Sequence, residues 1–165
     1  GVIAETMLGN GDRAYEYCKA SIPAAYNDKA EIRQSEPYVV GQTTYSIYSK
    51  RPGNTRTSWL SGAGTWSYYA ITQYMLGIKP QYEGLLIDPC IKHDWDGFTV
   101  ERRWRKMNLK IEVQNPSHVC KGIEYIEVDG KRLDSALIPV EMLKDGSQIV
   151  AVMGKNAKTV EVERV

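Results

Sequence analysis

The sequence lacks the usual signals of a protein that binds nucleic acids or spans a membrane. Its formal net charge is only +1, whereas nucleic-acid-binding proteins usually carry a basic excess that displaces counterions from phosphates. No apolar stretch approaches the ~18–20 residues needed to cross a bilayer. The N-terminus also lacks a basic region followed by a long apolar core, the pattern of a signal peptide. We therefore predict no nucleic-acid partner and no membrane partner.

Cysteine and histidine are also scarce. The three cysteines, Cys18, Cys90 and Cys120, are widely spaced and form no Cys-x-x-Cys pair, and the two histidines are His93 and His118. Cys120 and His118 together are too few to build a four-ligand zinc site, so we predict no metal centre and no cofactor. Reduced cysteines are typical of cytoplasmic proteins, which predicts a cytoplasmic location.

The chain also has no initiator methionine. It begins at Gly1 and continues with Val2-Ile3-Ala4 in a segment that has a helical pattern. This start predicts that the sequence is a piece of a longer protein. Its 165 residues, 42% hydrophobic and 25% charged, are typical of one ordinary folded domain or two small ones.

Tyrosine usage changes sharply along the chain and divides it in two. Ten of the eleven tyrosines lie at or before Tyr82, and only Tyr125 lies beyond it. The periodicity of the apolar residues changes at the same place, from one typical of helices and long loops to one of short alternating segments. We therefore predict one region over residues 1–82 and a second over residues 83–165.

The first region is predicted to contain two clear helices separated by a long loop. Asp12 is a good N-cap for a helix that ends near Ser21, and the alternative is that its charge interacts with the dipole of that helix. Residues 22–57 have no strong periodicity, which in a compact domain favours a segment that builds a site or packs under other elements. A second helix runs to Gly77, and five of its residues have the spacing of a buried face. These residues are Trp66, Tyr69, Ala70, Tyr74 and Leu76.

The second region alternates between apolar and polar residues in short segments. Asp129-Gly130 is a typical hairpin turn signal. Several short strands separated by turns predict an antiparallel β-sandwich. The predicted strands lie around Phe98–Arg102, Leu109–Val113, Ile123–Glu127, Leu137–Val140, Ile149–Met153 and Val160–Val162. Trp95, at the entry to the first of them, is predicted to pack between the two regions.

The segment before the aromatic helix is the strongest candidate for a binding site. Ser61 precedes Gly62-Ala63-Gly64, and glycines let a ligand approach backbone amides that attract anions at a helix start. The Ser61 hydroxyl and the Gly62 amide could thus donate hydrogen bonds to a phosphate. The alternative is that Ser61 only caps the helix and the glycines admit a closely packed neighbour.

Polar residues in the long loop are candidates for sugar binding. Gln42 offers donors and an acceptor, which suits a ligand with many hydroxyls, although an ordinary surface loop explains the same pattern. Glycoside chemistry usually needs two carboxyl groups beside the bond that is cleaved. Glu36 and Asp88 have the right chemistry, but their spacing does not pair them.

Several blocks of residues, in one order over nearly the whole chain, resemble the C-terminal part of cellobiose phosphorylases. Their family also contains chitobiose and cellodextrin phosphorylases. The blocks are Glu36-Pro37-Tyr38-Val39, Ser58-Trp59-Leu60-Ser61-Gly62, Leu76-Gly77-Ile78-Lys79-Pro80, Ile87-Asp88-Pro89-Cys90-Ile91, Trp95-Asp96-Gly97-Phe98, and Asn115-Pro116 with His118-Val119-Cys120-Lys121-Gly122.

The resemblance implies a fold and a reaction. The fold would be the last helices of an (α/α)6 barrel followed by a sandwich of jelly-roll type. The reaction would be the inverting cleavage of a β-linked disaccharide by inorganic phosphate, a co-substrate that takes the place of water, with an Asp as general acid. The product would be a sugar 1-phosphate.

The resemblance also implies roles for three residues. A phosphate-binding Thr-Gly pair of the family falls on Ser61 and Gly62, where serine keeps the hydroxyl, and a sugar-binding Gln falls on Gln42. The general acid, with the phosphate-binding His and arginines, belongs to segments before Gly1. This chain would then hold no catalytic residue and be inactive alone. An incomplete barrel would expose apolar helix faces, which predicts association, with a homo-oligomer as one form.

Two other functions remain open from the sequence. The chain could be a stand-alone carbohydrate-binding or structural module, or the end domain of a cyclic glucan synthase. The sequence also departs from the family pattern near the candidate sugar site, where Val40 and Thr43 replace a Tyr and a Met. Further departures are Lys92, Trp104 and Lys106.

Overall fold

The computed structural model describes residues 1–60 and 62–155. Its first region is mainly helical and contains one two-stranded hairpin. Two of the candidate segments, Ser61 and the predicted strand Val160–Val162, lie outside the described residues. The elements are α1 (Val2–Met7), α2 (Gly11–Ser21), a 3-10 segment (Pro23–Lys29), α3 (Ala30–Arg33), β1 (Thr43–Thr44), β2 (Thr55–Arg56) and α4 (Ala63–Tyr69), which continues as a π-helix (Ala70–Met75).

Helix α2 has the predicted extent but not the predicted cap. The N-cap residue is Asn10, while Asp12 lies in the first turn. The Asp12 carboxylate instead accepts a hydrogen bond from the backbone N–H of His93, at 3.0 Å. The prediction that Asp12 caps the helix was therefore wrong, because a partner 81 residues away along the chain engages its carboxylate.

The aromatic helix forms where predicted, but much of its aromatic surface is exposed. Its described start is the N-cap Gly62, and Gly77 follows its last turn with φ +67°. Ala70 and Met75 are buried, whereas the side chain of Trp66 is 68% exposed. The predicted face is thus exposed at Trp66 within this chain, where the ring packs edge-on against Tyr69 at 5.9 Å between ring centroids.

The second region consists of two sheets. One has three strands in the order β3-β4-β9, and the other has five in the order β5-β6-β10-β7-β8. The strands are β3 (Ile78–Pro80), β4 (Gly84–Ile87), β5 (Gly97–Trp104), β6 (Met107–Gln114), β7 (Ile123–Val128), β8 (Lys131–Leu133), β9 (Leu137–Pro139) and β10 (Gln148–Met153), with a 3-10 turn at Val140–Met142.

The alternating patterns of the sequence place the buried side chains correctly. In β6, Leu109, Ile111 and Val113 are buried and the residues between them are exposed. They join one hydrophobic core with buried residues of both sheets, among them Leu85 of β4 and Ile126 of β7. Because a period of two puts alternate side chains on one face of a strand, the alternation predicted these strands well.

The larger sheet is not purely antiparallel. Strand β10 pairs parallel with β6 on one side and antiparallel with β7 on the other. The expectation of an antiparallel sheet was therefore wrong at this pair. The Asp129-Gly130 turn between β7 and β8 was predicted correctly, and both residues have positive φ, 50° and 81°, as a type I′ hairpin turn requires.

The two regions meet through close backbone and aromatic contacts. Trp95 packs edge-on against Tyr15 of α2, at 5.6 Å between ring centroids, and also packs against the core of the sheets, as predicted. Strand β3 pairs with β4 although it precedes the predicted boundary at residue 82. That boundary, the (α/α)6 barrel and the jelly roll stay predictions. In the part of the chain that the structure describes, none of the helices has the length and hydropathy to span a bilayer.

Candidate functional site

Gln42 lies at the base of a small hairpin. β1 and β2 pair with Thr43 opposite Arg56 and Thr44 opposite Thr55. The pairing extends by one hydrogen bond, in which the Gln42 backbone N–H donates to the Thr57 carbonyl oxygen at 3.3 Å. The Gln42 side chain is exposed. The hairpin therefore fixes the backbone of Gln42 and leaves its amide side chain free to contact a ligand.

Gly41 brings the loop that carries Gln42 close to strand β2. A Cβ atom at Gly41 would lie 2.0 Å from the Thr55 side chain and 3.2 Å from the Arg56 carbonyl oxygen. Such a contact is too short for any side chain, so only glycine allows the two segments to approach this closely. Thr55 itself is buried, and its hydroxyl has no hydrogen-bond partner among the described residues.

Among its described residues, the segment between β2 and the aromatic helix has two in the left-handed region. These are Thr57, with φ 57°, and Trp59, with φ 67°. Neither is glycine, and this conformation costs an L-residue roughly 1–2 kcal/mol. Backbone strain of this kind persists where neighbouring contacts impose it, and it often occurs at functional sites.

The helix start that follows is open on its glycine side. A Cβ atom at Gly62 would meet only the Trp66 ring, at an ordinary 3.6 Å, and one at Gly64 would meet nothing within 4 Å. The alternative was that these glycines make room for a closely packed neighbour. Within the described chain, no such neighbour lies beside either glycine. The backbone at Gly62 is exposed, as an anion-binding amide requires.

A hydrogen bond links the Gln42 loop to the segment before the helix. The indole N–H of Trp59 donates to Oε1 of Glu36 at 2.9 Å, and the Trp59 ring packs edge-on against Tyr38 at 5.9 Å between centroids. A backbone hydrogen bond of Glu36 itself and the bond from Trp59 lower the pKa of this carboxyl. Local sequence patterns do not indicate this link, since its partners are 23 residues apart.

Asp88, the other carboxyl considered for glycoside chemistry, has a structural environment. Its carboxylate contacts Nζ of Lys121 at 2.8 Å and Nζ of Lys79 at 3.2 Å, and the three side chains are between 21% and 32% exposed. Within the described residues, no hydrogen bond or ion pair joins Asp88 to Glu36. The geometry gives no indication that the two carboxyls act together.

The histidines do not lie with the candidate binding residues. Nδ1 of His93 is 2.9 Å from the Asp12 carboxylate, so this residue joins the two regions. His118 is a turn residue with φ 48°. Throughout residues 1–60 and 62–155, no group of three His, Cys, Asp or Glu side chains is arranged to hold a metal ion.

Comparison with known proteins identifies the family. Residues 1–77 match the model described as the glycosyl hydrolase 94 superfamily, catalytic domain. The chain is 40% identical over 152 residues, 92% of its length, to an N,N'-diacetylchitobiose phosphorylase of Vibrio proteolyticus. The chain belongs to the glycosyl hydrolase 94 superfamily.

Two further relatives are also phosphorylases. The chain is 37% identical to an N,N'-diacetylchitobiose phosphorylase of Vibrio furnissii, with 92% of the chain and 19% of the relative covered. It is 27% identical to a solabiose phosphorylase of Paenibacillus borealis, with 84% of the chain and 18% of the relative covered. The chain thus spans about a fifth of the length of these relatives, including 19% of the Vibrio proteolyticus protein.

The glycosyl hydrolase 94 match has a clear relation to the fold. It ends at Gly77, one residue before β3 begins, so it covers the helical region and both candidate binding segments. Gln42 and Gly62 lie in that region, and the description of the matching family calls it a catalytic domain.

Proposed function

We propose that this chain supplies one wall of the active site of a disaccharide phosphorylase. In the full protein, Gln42 would contact the glycosyl unit that is transferred, and Ser61 with Gly62 would bind inorganic phosphate. The observation that carries the proposal is the hydrogen bond from Gln42 to Thr57, 3.3 Å long. It ties the candidate sugar residue to the backbone that leads, five residues on, to the open helix start.

The chemistry assigned to these residues is stabilisation and placement. A phosphate oxygen would attack the anomeric carbon while the bond from that carbon to the bridging oxygen breaks. A general acid, an Asp in a segment before Gly1, would give its proton to the departing oxygen. The Gly62 amide and the Ser61 hydroxyl would hold the attacking phosphate in line, and one well-placed donor of this kind can be worth ~3 kcal/mol.

We propose N,N'-diacetylchitobiose as the first substrate to test. The support is the identity of 40% and 37% to two phosphorylases of that name, compared with 27% to the solabiose phosphorylase. The resemblance in the sequence predicted a cellobiose-type enzyme, one that cleaves a β-glucoside, so cellobiose is the matched comparison. The full-length protein should release a sugar 1-phosphate from N,N'-diacetylchitobiose with a higher kcat/KM than from cellobiose. The reverse order would favour the cellobiose assignment.

The phosphate role is tested at two neighbouring glycines of the full-length enzyme. Gly62→Ala adds a methyl group that this chain accommodates at 3.6 Å from Trp66, so any loss reflects crowding of the ligand. We expect Ser61→Ala to raise KM for phosphate by about tenfold, the effect of one lost hydrogen bond. Gly62→Ala keeps the amide N–H and should raise KM for phosphate because its methyl group crowds the ligand. The control Gly64→Ala, with nothing within 4 Å, should leave KM unchanged. Equal values for all variants would refute the phosphate site.

The 165-residue chain alone should not turn over substrate, because the proposed general acid is outside it. Purified chain, incubated with phosphate and either disaccharide, should release no sugar 1-phosphate under conditions in which the full-length enzyme does. Disaccharide binding without turnover by the isolated chain would favour the carbohydrate-binding module instead.

Association is a separate proposal for the isolated chain. Several apolar side chains of the helical region are more than two-thirds exposed, and such surfaces favour self-association. They include Met7 at 70%, Leu8 at 74%, Trp59 at 70%, Leu60 at 73% and Tyr68 at 72%. Light scattering after gel filtration should show a mass above that of one chain, and a monomer at high concentration would contradict this.

A further inference from the structure

Two aromatic rings lie exposed together in the helical region. Trp59 and Tyr38 pack edge-on at 5.9 Å between ring centroids, yet they are 70% and 72% exposed. Their mutual contact therefore covers little of either ring. Apolar side chains that are exposed singly are normal on a protein surface, whereas adjacent ones mark a place that another molecule covers.

The backbone places these rings beside the candidate sugar-binding residue. The Thr57 carbonyl oxygen accepts the Gln42 N–H at 3.3 Å, and Trp59 follows Thr57 by two residues, a span of at most about 7 Å. Tyr38 precedes Gln42 by four residues in the same loop and contacts Trp59. The exposed Gln42 side chain and the two rings are therefore neighbours at the surface.

The Trp59 ring is held in one orientation before any ligand binds. Its indole N–H donates to Oε1 of Glu36 at 2.9 Å, so the one polar group of the ring is already engaged. Tyr38 restrains the same ring through the edge-on contact. Because a side chain that is fixed in advance loses little freedom on binding, the exposed face of Trp59 is prepared for a flat ligand.

We propose that Trp59 and Tyr38 form a stacking platform for the sugar ring that Gln42 contacts. A β-linked pyranose with equatorial hydroxyls has flat C–H faces and a polar edge, which match an aromatic face beside a polar side chain. The Gln42 amide would hydrogen-bond to hydroxyls at the edge of the sugar. The inference rests on the proposed function, since it adds contacts for the sugar assigned to Gln42.

The Glu36 carboxylate favours a sugar over a protein surface as the occupant. Glu36 is partly exposed and holds the indole N–H of Trp59. A protein segment or a second copy of the chain that covered both rings would also remove water from this carboxylate, and burial of an ionised group is costly. A sugar ring covers an aromatic face and brings its own hydroxyls to the polar edge.

The test measures disaccharide binding by the full-length enzyme without phosphate, so that phosphorolysis cannot proceed. We expect Trp59→Ala to raise the Kd of N,N'-diacetylchitobiose, or of cellobiose if that is the better substrate, about tenfold, and Tyr38→Ala about threefold. Trp59→Phe keeps a ring and should fall between wild type and Trp59→Ala. KM for phosphate and the Tm should not change. The control is Tyr82→Ala, between β3 and β4 and 88% exposed, which should leave the Kd unchanged.

Gln42→Ala separates failure of the inference from failure of the proposed function. If Gln42→Ala raises the Kd but Trp59→Ala and Tyr38→Ala do not, the sugar site stands and the platform does not. If none of the three variants changes the Kd, both fail. A lower Tm for Trp59→Ala, with equal rises in the disaccharide Kd and in KM for phosphate, would show that protein covers the rings and would overturn the inference. A Tyr82→Ala effect as large as that of Trp59→Ala would overturn it as well.

Discussion

The helical and sheet regions differ in how much of their apolar surface they bury within this chain. Ile111, Ile126 and Ile138 of the sheets are fully buried, whereas Trp66 and Tyr68 of the aromatic helix are 68% and 72% exposed. The sheet region therefore has a core of its own. The candidate site lies entirely in the other region, which agrees with the tendency of binding residues to occur where the local core is small.

The junction between the regions should give the largest effect. A Cβ atom at Gly77 would lie 2.1 Å from the carbonyl group of Asp88, and φ is +67°. Gly77→Ala should therefore destabilise the chain by about 4 kcal/mol, since a left-handed penalty and a forced backbone shift add. The control Gly130→Ala has φ +81° but nothing within 4 Å, and should cost only about 1 kcal/mol. Urea unfolding measures both, and equal losses would contradict the close approach.

Because the two regions differ in burial, we predict that shortening a side chain lowers the unfolding free energy by unequal amounts in the two regions. Ile126→Ala should cost about 3 kcal/mol, because it leaves a cavity in the shared core, and Ile126→Val about 1 kcal/mol. Trp66→Ala should change the unfolding free energy of this chain by less than about 0.5 kcal/mol, as exposed positions do. Chemical denaturation of the 165-residue chain tests this. A Trp66→Ala cost near that of Ile126→Ala would show that the helical region has an internal core after all.

The charged trio of Lys79, Asp88 and Lys121 should have an intermediate effect. Asp88→Asn leaves two partly buried ammonium groups without their counter-charge, and we expect a loss of about 2 kcal/mol. The control is Asp94→Asn, which removes a more exposed pair with Lys92 and should cost under about 0.5 kcal/mol. Equal Tm values for the two variants would show that the trio contributes little.

The contact between Asp12 and His93 should give the smallest effect and depend on pH. The backbone and side-chain hydrogen bonds from His93 lower the pKa of Asp12. Its stabilisation is therefore present above the ordinary Asp value, about 3.9, and is lost as the pH falls through the lowered pKa. Asp12→Asn should cost less than about 1 kcal/mol at pH 7. The Tm difference from wild type should shrink towards pH 3, and a constant difference would contradict this.

Much of the sheet region could be predicted from the sequence, because alternation determines which side chains are buried. β5, β6, β7, β10 and the Asp129-Gly130 turn lie where that pattern indicated. Alternation does not indicate the direction or the order in which strands pair, because it looks the same in parallel and antiparallel strands. The parallel pairing of β10 with β6 was therefore missed.

The helical region was less predictable for a different reason. Its residues have partners that are distant along the chain, as with Asp12 and His93 or Glu36 and Trp59. Local rules suggested a cap at Asp12, which was wrong, and a buried face at Trp66, which is exposed within this chain. Gln42, Ser61 and Gly62 could be selected as candidates by residue type and by resemblance, but the bond that connects their loops has no local signature.

The place of β10 has a consequence for folding. It is the last of the described strands along the chain, yet it lies in the middle of the larger sheet, between β6 and β7. Until it is added, those two strands each present an unpaired edge, and such edges invite pairing with other molecules. During synthesis, the ribosome releases β10 after both of these strands, so a nascent chain that stalls before residue 148 would be especially prone to aggregate.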